Sequence, residues 1–340
     1  MAPILTTADI VADPFGERRP FASRLRMRLL GADFRFFTDN AVLLRLLQDT
    51  FGRLPRHRLG GSVPRLELRL VSTATRKSQR SVLAAPRYEA GAGLLCATLD
   101  ADNYAALSPA TRSGLVAISR EQLQRPYCVR SELLEFAVST LAARSQGLVP
   151  LHAACVAKKG RALLLMGESG AGKTTLAAQC LVGGFEFLSE DSSFVHPATG
   201  LTTGLANFIY LRPSTLRYLA TDQAAAIRRH AIEIRRRSGV LKLQVDLRRQ
   251  GFALASSASR LSAVVFLSRQ NAGKGKMLQP VGGRESLRRM ESLQSYAAAQ
   301  PGWELFAKRV AKLQTWELRR AEHPRAGMLA LHSLACITPP

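Results

Sequence analysis

Residues 167–175 read GESGAGKTT, which fits the pattern G-x-x-x-x-G-K-[ST] at every fixed position. The apolar run ALLLM precedes the stretch and LAAQCLVGG follows it, an order typical of a strand, a loop and a helix. Glycines let the backbone N–H groups of such a loop close around phosphate oxygens, and the start of the helix adds positive potential. The stretch therefore predicts a binding loop for ATP. The predicted binding residues are Gly167, Glu168, Ser169, Gly170, Ala171, Gly172, Lys173, Thr174 and Thr175.

The end of this loop and a later acidic pair together predict a magnesium site. Lys173 is expected to reach the β- and γ-phosphates of ATP, and Thr174 to ligate Mg²⁺. Glu190 and Asp191 follow the apolar run FEFL, at a distance from Lys173 that one helix and one strand would fill. We therefore predict Thr174, Glu190 and Asp191 as metal ligands, and the alternative for the acidic pair is a solvated turn.

Signatures of other proteins with this loop are missing from the sequence. There is no LSGGQ-like stretch, which argues against a transporter-type ATPase. There is no N-K-x-D or T-K-x-D element, which argues against a GTPase. The loop alone leaves open whether the phosphate is spent on mechanical work or passed to a substrate.

The order of these features resembles the C-terminal catalytic domain of the HPr kinase/phosphorylase family. In that family a histidine in a strand precedes a hairpin, a G-x-S-G-x-G-K-[ST] loop and an acidic pair that ends the next strand. Here the order is LHAACVAKKG with His152, then GESGAGKTT, then FEFLSEDSSFV. The later segment LANFIYLRPSTL, which contains Arg212, also looks like its counterpart in related proteins. The resemblance covers roughly residues 147–269.

This resemblance implies transfer of a phosphate from ATP, with Mg²⁺, to a hydroxyl of a protein or peptide, usually a serine. It implies catalytic roles for the residues His152, Lys173, Glu190, Asp191 and Arg212. The first acid of the pair would orient or deprotonate the acceptor hydroxyl. The family has two aspartates there, so in this chain either the site has adjusted, or Asp191 carries the main role, or activity is weak. Residues for the family's phosphorylase reaction are not matched, so kinase activity alone is expected.

Two of these residues have simpler interpretations that stay open at this point. His152 lies in an apolar stretch, where a buried histidine without a catalytic role is the alternative. Arg212 precedes a proline, so it either contacts phosphate or stands before a turn.

Around these residues the sequence predicts an α/β fold in two parts. An α+β domain is expected over residues 1–128 and a P-loop α/β domain over residues 129–340. In the first, RMRLLG, ADFRFF, PRLELRLV and LLCATLD are expected strands, and AVLLRLLQDTF is a helix capped by Asp39 or Asn40. A further helix is expected from Ser131 to Gly147, at the junction.

The second part is expected to mix hairpins with a strand–loop–helix unit, so it is not a plain doubly wound sheet. VPLHAACVAKKGRALLLMG predicts two strands joined by a KKG turn, and LSAVVFLSR a buried strand. The tail predicts helices and a strand TWELRR, with Trp303, Phe306, Val310 and Leu313 on a buried face. The first part looks more like the N-terminal part of HPr-kinase-related proteins. Some of those occur beside systems that make ribosomal peptides, including lasso peptides, so this part is expected to recognise a substrate or partner.

The formal charge of +23, with 39 of the 48 basic residues being arginine, predicts an acidic partner or reflects a GC-rich genome. The most basic segment, residues 228–249, is interpreted as a solvated helix face or as a docking surface for an acidic protein or peptide. It lacks aromatic residues for base stacking, so nucleic acid is not favoured. Two other functions remain open: a nucleotide-binding module with a nucleic-acid-binding surface, and a small-molecule kinase. The family's hexamers leave a homo-oligomer open.

The remaining features predict a cytoplasmic protein. The five cysteines are far apart and lack metal-site spacing, so they are expected to be small buried residues in a reducing compartment. Residues 1–20 lack the basic start and apolar run of a signal peptide. The uncharged run of residues 192–211 contains Pro197, Gly200 and Gly204, so no membrane span is predicted.

Overall fold

The computed structural model describes residues 21–73, 85–249, 251–273 and 275–336. Residues 1–20, on which the signal-peptide prediction rests, lie outside them. Within the described ranges the chain has an α/β fold, with sheets of seven, nine and three strands and helices packed against them. The predicted fold class is therefore confirmed.

The strands are β1 (Ser23–Leu29), β2 (Ala32–Thr38), β3 (Arg65–Thr73), β4 (Arg87–Gly91), β5 (Leu94–Asp100), β6 (Asn103–Ser108), β7 (Ser113–Ser119), β8 (Val149–Leu151), β9 (Ala154–Lys158), β10 (Arg161–Met166), β11 (Glu186–Ser189), β12 (Ser193–Val195), β13 (Leu201–Gly204), β14 (Phe208–Leu211), β15 (Ile232–Arg235), β16 (Leu241–Asp246), β17 (Ser259–Asn271), β18 (Leu278–Pro280) and β19 (Gln314–Arg320). The main helices are α1 (Ala41–Phe51), α2 (Glu135–Gln146), α3 (Lys173–Val182), α4 (Thr221–His230), α5 (Gly283–Leu293), α6 (Ser295–Ala298), α7 (Trp303–Val310) and α8 (Pro324–Cys336).

The first sheet has the strand order β1-β2-β3-β7-β6-β5-β4. Leu66, Leu68 and Leu70 alternate along β3 and are all buried, as the sequence predicts. Asn40 caps α1, because its side chain accepts hydrogen bonds from the backbone N–H groups of Val42 and Leu43. The local rules for strand alternation and helix capping therefore account for this part of the fold.

The helix predicted from Ser131 to Gly147 ends as expected but begins earlier. Gly147 adopts a left-handed conformation, with φ of 62°, and terminates α2. At the other end, a helical turn at Pro126–Cys128 continues into a π-helical turn at Val129–Leu134 and then into α2. Ser131 is therefore not an N-cap, and its hydroxyl donates to the carbonyl of Tyr127 instead. The start of the helix is set by the proline of the first turn, which needs no N–H acceptor there.

Helix α2 packs against the first sheet rather than against the P-loop. Its buried residues Val138, Leu141 and Ala142 share one apolar core with Phe34 and Leu68 of the sheet. By its packing, α2 therefore belongs with the N-terminal sheet. The division of the chain after residue 128 stays a prediction.

The second sheet has the order β11-β9-β10-β17-β13-β12-β8, with β19 pairing beside β17 and β18 beside β19. Strand β10 is parallel to β17 and antiparallel to β9, and β17 is parallel to β19. Because the sheet contains both parallel and antiparallel pairs, it is mixed and not doubly wound, as predicted. Lys159 and Gly160 both have positive φ in the β9–β10 turn, which confirms the KKG hairpin.

His152 does not lie in a strand, contrary to the expectation. The stretch VPLHAACVA forms β8 and β9, and these strands belong to opposite parts of the sheet. His152 stands at the bend between them, and its side chain is 56% exposed. The alternative of a buried histidine is therefore wrong as well. The apolar residues on both sides concealed the break, because each belongs to a separate short strand.

The basic segment of residues 228–249 is mostly a β-hairpin, so the predicted helix face is wrong beyond His230. Leu243 and Val245 are buried on one side of β16, and Ile234 of β15, which pairs with Lys242, is buried on the other side of the hairpin. This period of two is the pattern of a strand, and the many arginines between the apolar residues obscured it. With β14 the hairpin forms the three-stranded sheet, which stands beside the phosphate loop.

The C-terminal elements follow the predictions more closely. Helix α7 buries Trp303, Phe306 and Val310, and Leu313 packs partly buried against the same core. TWELRR lies in β19, next to β17. The LSAVVFLSR stretch lies in the long strand β17. Strands β17 and β19 thus belong to the P-loop sheet, and α7 packs against one face of it.

The cysteines are all free, but only Cys155 and Cys180 are fully buried. Cys96 and Cys128 are partly buried and Cys336 is exposed, so the prediction of five buried cysteines is wrong for three of them. Cys336 is the last residue of α8, where a helix end meets solvent. Among the described residues, no helix has the length and apolar character to cross a membrane.

Candidate functional site

The phosphate-binding loop joins the end of β10 to the start of α3, as the sequence predicts. Gly170 and Gly172 have φ values of 82° and 101°, a left-handed region that other residues rarely adopt. A Cβ atom at Gly172 would meet nothing within 4 Å, so this glycine is required by the backbone conformation and not by crowding. The helix then begins directly at Lys173.

Lys173 is held at this loop by the loop's own carbonyl groups. Its Nζ donates to the carbonyl oxygens of Gly167, at 2.7 Å, and of Glu168, at 3.3 Å. The side chain is buried, and burial lowers the pKa of Lys173, while the charges of Asp191 and Glu190 oppose that effect. Charged phosphate oxygens are stronger partners for an ammonium group than carbonyl oxygens are. The contacts therefore hold Lys173 beside a position that suits a phosphate.

Glu190 lies between the start of α3 and strand β14. Thr174 Oγ1 donates to Glu190 Oε1 at 2.7 Å, and the backbone N–H of Tyr210 donates to Oε2 at 3.2 Å. The residue is only 7% exposed. Burial, followed by the charge of Asp191, raises the pKa of Glu190 to about 7, although Thr174 and Lys242 oppose the shift. Glu190 is thus a buried carboxyl group fixed against the phosphate loop.

These residues fit a magnesium ion that is shared with a nucleotide. Thr174 Oγ1 and Glu190 offer hard oxygen ligands, and Mg²⁺ is usually held by one or two carboxylates and by substrate phosphates. Within the part of the chain that the structure describes, no group of three His, Cys, Asp or Glu side chains forms a metal cage. The donor set therefore fits Mg²⁺ bound with ATP better than a resident metal ion bound by protein alone.

The second acidic residue faces a different partner. Asp191 Oδ1 lies 3.2 Å from Nδ1 of His152, and both side chains are about half exposed. The backbone of His152 is fixed by the buried side chain of Gln294, which accepts from its N–H at 2.7 Å and donates to its carbonyl at 3.1 Å. Gln294 thus replaces the strand pairing that the bend at His152 lacks.

One cavity of about 480 Å³ connects these groups. Lys242 and Arg236, from the hairpin of β15 and β16, line it opposite the phosphate loop, and Arg269 bonds the carbonyl of Ser169 at its edge. Gly167 and Glu168 are not among its lining residues. From the predicted set, the lining includes His152, Ser169, Gly170, Ala171, Gly172, Lys173, Thr174, Thr175, Glu190, Asp191 and Arg212.

Some residues of this site carried no functional signal in the sequence. Gln294 lies between two helices in the tail, and nothing in its local sequence points to the backbone of His152. Tyr210 contributes a backbone N–H, which any residue could supply. Lys242 Nζ donates to the carbonyl of Tyr210 at 3.0 Å. The basic composition of its segment was the one available signal, and it did not distinguish residues that face the cavity.

The buried carboxyl group predicts a stability effect in the nucleotide-free protein. Because the pKa of Glu190 is raised to about 7 by folding, its protonated form is favoured in the folded state. The contribution of Glu190 to the free energy of unfolding is fully present at pH values below its pKa in the unfolded chain. This contribution is lost as the pH rises through 7. We expect Glu190→Gln to raise the free energy of unfolding at pH 8 by ~3 kcal/mol and to change it little at pH 4.5.

Urea unfolding at both pH values measures this effect. Glu186→Gln, at the start of strand β11 four residues before Glu190 and partly buried, serves as the control and is expected to change the free energy of unfolding little. A Glu190→Gln variant that is less stable than the wild type at pH 8 would contradict the raised pKa of this carboxyl group.

No family model and no curated protein matches the chain. Among solved structures, the chain is similar to the HPr(Ser) kinase/phosphatase from Coxiella burnetii. The match has 9% sequence identity and a TM-score of 0.28, and it covers 54% of this chain and 94% of that chain. A likeness this weak does not establish a function, so the function has to be argued from the residues of the cavity.

Proposed function

We propose that the chain is an ATP- and Mg²⁺-dependent phosphotransferase that moves the γ-phosphate of ATP to a serine hydroxyl of a protein or peptide. The observation that carries this proposal is the hydrogen bond from Thr174 Oγ1 to Glu190 Oε1. It links the phosphate loop to an acidic pair, and the second acid of that pair faces His152 in the same cavity. Binding of nucleotide alone would not need this second acid beside a histidine.

The phosphate loop and its neighbours would hold ATP and the metal. Thr174 and Glu190, together with Asp191, are the groups that would hold Mg²⁺, which neutralises charge on the phosphates and so favours their transfer. Lys173 would exchange its bonds to the loop carbonyls for bonds to phosphate oxygens. Lys242, Arg236 and Arg212 line the cavity and would balance further negative charge.

The geometry favours Asp191 as the base that receives the proton of the acceptor. Glu190 is buried and both of its oxygens accept hydrogen bonds within the protein, so it is poorly placed to meet an incoming hydroxyl. Asp191 is half exposed in the cavity, and His152 fixes the direction of its carboxylate. This differs from the role that the family resemblance gives to the first acid of the pair.

In the proposed reaction the acceptor oxygen attacks the γ-phosphorus of ATP. Its O–P bond forms while the bond from the γ-phosphorus to the bridging oxygen breaks, and ADP leaves. The proton of the serine hydroxyl passes to the carboxylate of Asp191. Most of the rate enhancement would come from positioning and from balanced charge, because phosphoryl transfer needs little covalent chemistry from the protein.

Transfer from labelled ATP tests the proposal. The full chain is incubated with γ-labelled ATP, Mg²⁺ and the peptides encoded by neighbouring genes, and the products are read by mass spectrometry. We expect one phosphate on a serine. ATP binding without transfer to any peptide would overturn the proposal in favour of a nucleotide-binding module, and transfer only to a small molecule would overturn the peptide acceptor.

A further inference from the structure

A second cavity, of about 730 Å³, lies beside the first and is assigned no role by the proposed reaction. Its walls come from the β4–β5 turn, from helix α2, from β8 and from the segment around α6. The lining is largely apolar and includes Leu94, Phe136, Phe194 and Tyr296. The groove is therefore built jointly by the N-terminal sheet and by the P-loop part of the chain.

His152 joins the two cavities, because it lines both. Its ring contacts Asp191 on the side of the phosphate loop, and Ser192, the next residue in the chain, lines the second cavity. A molecule bound in the second cavity would therefore reach Asp191, the proposed base, directly past His152. The groove is continuous with the place where the acceptor hydroxyl has to stand.

The apolar surface of this groove is partly open to solvent. Leu94 is 44% exposed and Tyr296 is 59% exposed. Phe136 contacts Tyr88 with the rings tilted by 38° and their centroids 5.3 Å apart, and Tyr88 is itself 62% exposed. Exposed aromatic and aliphatic side chains around a concave surface are typical of sites that bind another chain.

The groove is lined by one glutamate and one arginine, and these two side chains differ in whether another residue engages them. Glu135 is partly buried and accepts a hydrogen bond from Asn207, so its carboxyl group is already engaged. Arg144, at the end of α2, also lines the groove and makes no ion pair or hydrogen bond with any residue in the described ranges. The groove thus offers one uncompensated positive charge amid apolar surface.

We propose that this groove binds the acceptor peptide of the phosphotransferase, as an extended segment with apolar side chains and an acidic residue near Arg144. The inference rests on the proposed function. A small acceptor would need only the space beside Asp191, whereas this groove adds a larger volume that ends at His152. A nucleic acid would need several cations along the groove, and Arg144 is the one that lines it among the described residues.

A peptide library tests the inference. The probe is a mixture of 12-residue peptides with one serine fixed at the centre and the other positions random, phosphorylated by the full chain with Mg²⁺ and ATP. We expect the phosphorylated products to be enriched in apolar residues and in Asp or Glu at one fixed position. With Arg144→Glu, the preference at that position is expected to change to Lys or Arg.

Substitutions at the rim test the apolar surface. Leu94→Glu and Tyr296→Glu, both at exposed positions, are each expected to lower kcat/KM for a selected peptide about tenfold, through KM. The affinity for Mg²⁺ and ATP is expected to stay unchanged. Leu329→Glu, on α8 and 54% exposed, is the matched control and is expected to leave both quantities at the wild-type value.

The outcomes separate this inference from the function on which it rests. No transfer to any peptide by the wild-type chain would overturn the proposed function. Transfer that keeps the wild-type KM in the rim variants and the wild-type preference in Arg144→Glu would overturn the groove and leave the function standing. Wild-type self-association that Leu94→Glu abolishes, with KM unchanged, would instead identify the groove as a contact between two copies.

Discussion

Replacing Lys173 with alanine is expected to lower the rate of phosphoryl transfer about a thousandfold, the order of effect seen when one stabilising donor is removed. The reason is positional: Lys173 Nζ is the buried cation at the phosphate loop, held between the carbonyls of Gly167 and Glu168. Without it, charge that develops on the transferred phosphate loses a stabilising donor. Initial rates with γ-labelled ATP measure the loss.

The matched control for this variant is Lys308→Ala on α7, which removes an exposed lysine far from the cavity. It is expected to keep the wild-type rate. Thermal unfolding of both variants shows whether either has lost its fold. A folded Lys173→Ala protein with more than a tenth of the wild-type rate would exclude the proposed role of this lysine.

Replacing Asp191 with asparagine is expected to lower the transfer rate about 10²–10⁴-fold, the range in which a general base contributes. Asparagine keeps the size of the side chain but cannot accept the proton of the acceptor hydroxyl. The affinity for ATP is expected to change much less than the rate, because Lys173 and Thr174 remain in place. Single-turnover rates and equilibrium ATP binding measure the two quantities separately.

Asp222→Asn, at an exposed position near the start of α4, is the control for the loss of one negative charge. A second comparison is with Glu190→Gln, in which Asp191 is intact. If Asp191→Asn transferred phosphate at the wild-type rate while Glu190→Gln did not, the first acid would be the base, as the family resemblance implies.

The phosphate loop could be predicted from the sequence because its determinants are local. Gly170 and Gly172 adopt the positive φ values that favour glycine, and Lys173 begins the helix as expected. The same holds for the cap at Asn40 and the alternation in β3, where neighbouring residues decide the outcome. Patterns of this kind need no knowledge of the rest of the fold.

The arrangement around His152 could not be predicted because its determinants are distant. The bend there is stabilised by the side chain of Gln294, 142 residues along the chain. The position of Glu190 depends on the backbone of Tyr210 in another sheet. Neither contact changes the local composition, so the sequence predicted which residues meet but not that His152 stands outside a strand.

The β15–β16 hairpin shows a third kind of error. Leu241, Leu243 and Val245 alternate along β16 as in a strand, but arginine and lysine dominate the composition of the segment and suggested a solvated helix. Burial of one face of the small sheet decided the conformation, with Lys242 and Arg236 placed at the cavity. Charge density alone is therefore a poor guide to secondary structure in this chain.

The pairing of β10 with β17 has a consequence for how the chain is made. Ser262 in β17 donates to the carbonyl of Ala162 in β10 although the two are 100 residues apart. At roughly 5–20 residues per second, the ribosome leaves β10 without its parallel partner for about 5–20 s. Pairing over such separations is also slow in itself. We therefore expect the nascent chain to need chaperone cover over the apolar edge of β10, and to become able to bind nucleotide only late in its synthesis.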